Sequence, residues 1–202
     1  MVASLVDIQE RTDSPEQRLR LEGVSWQQYD ALVNLFIDQF PALRMTYLEG
    51  ILEIMSTSSE HERLKTIIAR LIEAFAEEFD IDLNGYGAAT FRKEAAKRGL
   101  EPDECYCFGV LDEAPDIAIE VVLSSGSIDK LAVYQGLNVQ EVWFWENGKF
   151  DLYGLNGSKT SYDKLSTSQL LPPLDFSLLA QFVDASNQTQ AVKAFRQAIR
   201  NQ

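Results

Sequence analysis

Cysteine and histidine are almost missing from this 202-residue chain, which has two of the first and one of the second. Cys105 and Cys107 stand two apart on an expected strand and so share a face, where a disulfide between them has poor geometry. Two thiols alone make no zinc site either, so both are expected to be buried free thiols. No run approaches the roughly 20 apolar residues that a membrane span requires, so no membrane partner is expected. The first ten residues, Met1-Val-Ala-Ser-Leu-Val-Asp-Ile-Gln-Glu10, have neither the basic nor the apolar region of a secretory signal, and a cytoplasmic protein is expected. Basic residues are also scarce. Eighteen Lys and Arg face 31 Asp and Glu, a net charge of −13, which argues against a protein that coats nucleic acid non-specifically. A local basic surface or a metal-dependent encounter remains compatible with that charge. Repeats and low-complexity tracts are absent.

What is present is ordinary globular material, 46% hydrophobic and 24% charged, in a length that suits one domain with a real core. Residues 1–24 read as a polar, aperiodic arm and residues 25–202 as the domain. Ser25-Trp-Gln-Gln28 has capping-box spacing, and Trp26, Tyr29, Leu32, Val33, Phe36 and Ile37 share a helical face up to Pro41. Strands are expected near 44–47 and 51–55 around a Glu49-Gly50 turn. Ser59-Glu-His-Glu62 reads as a second capping box, opening a helix with the stripe Leu64, Ile67, Ile68, Leu71, Ile72, Phe75 and Phe79. A short strand at 88–92 and a loop at 93–102 follow. Strands at 104–108 and 116–123 make an antiparallel pair, and a helix over 128–137 leads to a strand at 141–145 by a right-handed crossover. Asn147-Gly148 is the strongest hairpin signal, and short helices at 177–183 and 191–200 close the chain. The fold class is α/β, a mixed sheet flanked by helices.

Between Arg98 and Lys130 lie eight carboxylates and no Lys or Arg. Within that stretch Asp116-Ile-Ala-Ile-Glu120-Val-Val-Leu123 reads as buried strand, where an ionised Glu is costly unless a cation or hydrogen bonds meet it. Alternation places Glu120 on one face and Ile117, Ile119, Val121 and Leu123 on the other, buried one. Asp103, Glu120 and Lys130 then follow in order, with the first two converging from the arms of the antiparallel pair.

Glu101-Pro102-Asp103-Glu104, Pro115-Asp-Ile-Ala-Ile-Glu120-Val, Lys130-Leu-Ala-Val-Tyr134 and Val139-Gln-Glu-Val-Trp143 resemble, in that order, the PD-(D/E)XK restriction-endonuclease-like superfamily. Within it the chain is most similar to the Uma-two family, from about Tyr47-Leu-Glu-Gly50 to Asn147. The resemblance implies a restriction-endonuclease-like central mixed β-sheet flanked by helices and a divalent-metal site. It also implies Mg²⁺-dependent hydrolysis of DNA phosphodiester bonds, with Mn²⁺ as a substitute ion. Asp103 and Glu120 would be metal ligands, with the Val121 carbonyl as a third oxygen, and Lys130 would orient water or stabilise phosphate charge. Glu49 and Asp116 are further acidic candidates. The superfamily pattern puts its lysine two residues past Glu120, where this chain has Val122; Lys130, on the next helix, takes that place.

Plainer readings stand beside these. Asp103 sits in a turn-like Pro-Asp-Glu, Asp116 at a strand start suits a structural role, and His61 is expected to be a solvated first-turn residue. The lysines of the 93–98 loop read as solvated, and Trp143 and Trp145 as packing. Two functions from different classes follow: a nuclease acting on DNA, or a catalytically silent member of the fold serving as a binding or assembly module. Homodimer formation is left open.

Overall fold

The computed structural model describes residues 16–36, 39–40, 42–124 and 126–201. Ile37 and Pro41, expected at the end of the first helix, and residues 1–15 of the expected arm lie outside the described residues. The rest of the arm is not aperiodic: Gln17–Glu22 is a strand, β1. Helix α1, Trp26–Phe36, opens on the expected box, with the Gln28 N–H donating to Ser25 Oγ at 3.2 Å and the Ser25 N–H to Gln28 Oε1 at 2.8 Å. Strands β2 (Leu43–Leu48) and β3 (Ile51–Ser56) form the expected hairpin, and the φ values of +47° at Glu49 and +98° at Gly50 suit its two-residue turn. Helix α2, Ser59–Glu78, is capped one residue earlier than expected, by Ser58, whose Oγ accepts from the His61 N–H at 3.1 Å.

Short strands β4 (Leu83–Gly85) and β5 (Phe91–Lys93) follow. The expected 93–102 loop is largely a hairpin, turning at Lys97 (φ +52°) into β6, Arg98–Leu100. Strand β7 (Glu104–Phe108) pairs antiparallel with β8 (Ile117–Val122), as expected. Helix α3 (Lys130–Leu137) then connects β8 to β9 (Glu141–Glu146), which lies parallel to it. The Asn147-Gly148 turn, with φ of +51° and +78°, leads into β10 (Lys149–Leu155). Strand β11 (Tyr162–Leu165) and helices α4 (Phe176–Ala180) and α5 (Gln188–Arg200) complete the chain.

These strands form two sheets. One is mixed, in the order β11-β10-β9-β8-β7-β4, and corresponds to the expected central sheet; the other, β1-β3-β2-β6-β5, is antiparallel throughout. The second sheet is less legible because β1 is an edge strand whose Leu19 and Leu21, on the face opposite Arg18, Arg20 and Glu22, stay exposed, and β5 and β6 have only three residues each.

Strand β8 is buried on both sides, as a strand with a parallel partner usually is. Ile117, Ile119 and Val121 pack into a core with Leu64, Ile68 and Phe75 of α2 and Phe195 of α5. Ala118, on the other face, joins Val133, Tyr134 and Leu137 of α3. The expected alternation therefore holds, except that Leu123 lies past the strand and is 44% exposed. Cys105 and Cys107 are buried free thiols, and Trp143 and Trp145 are buried in the core. Gly136 brings α3 close to β6: a Cβ there would meet Arg98 Cγ at 2.4 Å, and Arg98 Nε donates to the Ala132 carbonyl at 3.1 Å.

Candidate active site

The end of β8 is where chemistry-bearing side chains gather. Asp129 caps α3, accepting from the Ala132 N–H at 3.2 Å, and this fixes where the helix begins. Lys130 and Tyr134, one turn apart, therefore face the same way. Lys130 Nζ donates to Glu120 Oε2 at 2.5 Å and Tyr134 OH to Glu120 Oε1 at 2.5 Å, on a carboxylate with no exposed surface. Asp103 arrives from the strand on the other side. Pairing of β7 with β8 stops at Glu104 opposite Ile119, so the Val121 N–H has no partner on β7 and donates instead to Asp103 Oδ2 at 2.7 Å. Asp103, 1% exposed, is thereby fixed beside the residue that follows Glu120.

The sequence reading missed His61. It is fully buried, not solvated, and its Nε2 lies 3.1 Å from Asp103 Oδ2 and 3.8 Å from Glu16 Oε1. A signal existed, because His61 precedes Leu64 and Ile68 by three and seven residues and so extends the apolar stripe. Arg18 of β1 was also missed. Its guanidinium reaches Glu53 Oε1 at 2.8 Å, Ser124 Oγ at 3.2 Å and the Ser124 carbonyl at 3.1 Å. Glu53 in turn accepts from the Ser127 N–H and hydroxyl, both at 2.6 Å. The edge strand thus holds the segment between β8 and α3.

Other candidates are placed elsewhere. Glu49 is two-thirds exposed in its turn and pairs with Arg98 at 2.9 Å. Asp116, at the opposite end of β8 from Val121, accepts from the Phe108 N–H at 2.8 Å and from Gln140, the structural role expected of a strand start. Lys93 pairs with Glu113 at 3.9 Å on the surface. Among the described residues, no three His, Cys, Asp or Glu side chains group so as to hold a metal ion by themselves.

Two buried carboxylates side by side cannot both ionise freely. Burial, reinforced by the Asp103 charge and opposed by Lys130 and Tyr134, pushes Glu120 up to about 7. Burial would raise Asp103 too, but His61, Lys130 and the Val121 N–H outweigh it and hold that carboxyl below the usual range. Burial works against the charged forms of His61 and Lys130; the carboxylates outweigh it and raise both. For metal-free protein the sign follows. A carboxyl raised to about 7 binds its proton more tightly folded than unfolded, so its contribution is complete below about 4.5 and is lost as pH rises through 7. His61, raised above 6.5, loses its contribution in the same direction. In EDTA the melting temperature is expected to fall between pH 5 and pH 8, and Glu120→Gln should flatten that slope; an unchanged slope in the variant would show that another group sets it.

A family model described as "Putative restriction endonuclease", Uma2, matches residues 26–185, and the chain belongs to that family. The match is wider than the motif segments, taking in α1 and the region through α4. Among solved structures, a "putative nuclease belonging to DUF820" from Anabaena variabilis is similar at 12% identity and a TM-score of 0.43, over 75% of this chain and 90% of that one. No curated protein matches. No helix among the described residues is long and apolar enough to cross a membrane.

Proposed function

We propose that this protein is a Mg²⁺-dependent endonuclease that hydrolyses phosphodiester bonds of DNA, with Mn²⁺ able to replace Mg²⁺. The observation that carries the reading is the buried pair Asp103 and Glu120 at one end of β8, with the Lys130 ammonium against it. The donor set suits a hard cation, which needs only one or two protein carboxylates and takes its other oxygens from water and substrate. Although Lys130 and Tyr134 donate to Glu120, each carboxylate oxygen keeps a second lone pair. In an extended strand the N–H and C=O of one residue face the same neighbour, so the Val121 carbonyl leaves β8 on the Asp103 side and is a third oxygen of the right kind. A cation bound there would polarise a phosphoryl oxygen and lower the pKa of a bound water.

The chain's own residues supply the rest. Lys130 places a compact positive charge where the substrate phosphate and attacking water come together. Tyr134 fixes one oxygen of Glu120, and His61 with the Val121 N–H fixes Asp103. Calorimetric titration with Mn²⁺ and incubation of plasmid DNA with Mg²⁺ or Mn²⁺ test the proposal; both binding and nicking are expected.

The second reading, a silent binding module, draws on one specific observation: the Lys130–Glu120 pair can neutralise the buried carboxylate without any metal. Absence of both ion binding and cleavage would select it.

A further inference from the structure

A cavity of about 300 Å³ opens beside Lys130, walled in part by Arg18, Val122, Phe144, Glu146 and Tyr153. It follows from strand alternation. Because Trp143 and Trp145 are buried on the α2 side of β9, Phe144 and Glu146 emerge on the α3 side. The register places Glu146 opposite Val122 and Phe144 opposite Asp151, so β8, β9 and β10 form a continuous shelf leading away from Glu120. On it the rings of Phe144 and Tyr153 meet edge to face, 5.7 Å apart and inclined at 85°, and each ring is half-buried.

The charges of this cavity are wrong for a phosphate. Glu146, Asp129 and Asp151 line it, and Arg18 is already committed to Glu53. Asp151 is held by Lys149 and Lys164, whereas Glu146 has no ion-pair partner among the described residues. A neutral planar group with a hydrogen-bond donor fits this combination of ring faces and an available carboxylate. Nucleobases are such groups: every base has a π-face for an aromatic side chain, and an amino group on the base edge donates to a carboxylate. The volume lies at the small end of ligand sites, roughly 300–1,000 Å³, which suits one base and not a double helix.

We propose that this cavity takes an unpaired nucleobase next to the phosphate being cut, stacked on the face of one ring of the Phe144–Tyr153 pair and met edge-on by the other, with its amino group donating to Glu146. The substrate is then single-stranded DNA or a nucleotide extruded from a duplex. This rests on the nuclease reading for its orientation relative to Lys130.

Fluorescence anisotropy with labelled oligonucleotides tests the inference on the full chain, with Ca²⁺ in place of Mg²⁺ to limit turnover. Single-stranded oligo-dC is expected to bind at least tenfold more tightly than a blunt duplex, and a duplex with one extrahelical dC should recover most of that difference. Phe144→Leu keeps apolar volume and removes the π-face; it should weaken single-strand binding about tenfold, as should Tyr153→Leu. Glu146→Gln should narrow the preference of oligo-dC over oligo-dT, because thymine has no exocyclic amino group. Equal affinity for blunt duplex and single strand, or leucine variants that fold by circular dichroism and bind like wild type, would overturn the proposal. The two readings fail separately. A protein that binds single strands through Phe144 but never cleaves retains the base site and loses the nuclease, whereas one that nicks plasmid with no response to Phe144→Leu retains the nuclease and loses the base site.

Discussion

Asp103→Asn is expected to lower DNA cleavage by about 10²–10³-fold, the usual scale for removing one preorganised electrostatic group from a catalytic site. Mn²⁺ affinity should fall at least tenfold in the same variant. The substitution keeps the side chain's shape, and its amide oxygen can still accept the Val121 N–H that Asp103 accepts at 2.7 Å. The fold should therefore survive, which matters because this side chain is 1% exposed and has no room for a larger change. Losing the negative charge also removes the main attraction for the His61 proton, so His61 should titrate lower in the variant. Joint replacement with Glu120→Gln should leave no detectable ion binding by calorimetry. Wild-type Mn²⁺ affinity in the double variant would place the metal elsewhere.

Much of this site could be read in the sequence because it depends on strand periodicity. Glu120 interrupts an aliphatic run, and a period of two separates it from Ile119 and Val121 whatever packs against either face. Asp103 and Lys130 were found because they flank the same pair of elements and resemble the family pattern. What was missed depends on contacts distant in sequence. His61 lies 42 positions before Asp103, and although its spacing from Leu64 and Ile68 places it on the apolar face, nothing local to α2 says that a carboxylate from before β7 waits there. Arg18 belongs to a short edge strand, which Glu16 immediately precedes, and the partner of that strand, β3, follows an intervening helix and hairpin strand. The only local mark is the brief alternation Arg18-Leu-Arg-Leu-Glu22, whose leucines stay exposed, and pairing with β3 makes the segment a strand.

Glu49 is a different case. Its turn was recognised from Glu-Gly before a β-rich run, and the turn is there. The family resemblance at Tyr47-Leu-Glu-Gly50 makes it a further acidic candidate, and in the structure its partner is Arg98, across a surface pair that carries little energy. A carboxylate in a left-handed turn position is held there by backbone geometry, and exposure leaves it free of the desolvation that makes Glu120 informative.

Lys130→Met should have two separable effects. Cleavage is expected to disappear within detection, since the ammonium that would face the phosphate is gone. Stability should also fall, because Glu120 has no exposed surface and Lys130, 19% exposed, is its only ion-pair partner within 4.0 Å among the described residues. Breaking a buried pair by removing one member costs roughly 3–5 kcal/mol when the other stays charged. Here Glu120 can escape part of that cost. A carboxyl already pushed to about 7 with Lys130 present rises further without it, and binds a proton at mildly acidic pH. The loss of stability should therefore be small at pH 6 and grow by about 1.4 kcal/mol per pH unit above 7, reaching roughly 2 kcal/mol near pH 8.5, measured by urea unfolding in EDTA. Adding Glu120→Gln to Lys130→Met removes the stranded charge and should restore most of the stability at pH 8.5 while cleavage stays absent. Recovery of stability without recovery of cleavage separates Lys130 the reactant from Lys130 the counter-ion. If Lys130→Met instead cleaves plasmid at the wild-type rate, the lysine is only a counter-ion, and the charge facing the phosphate must come from another residue.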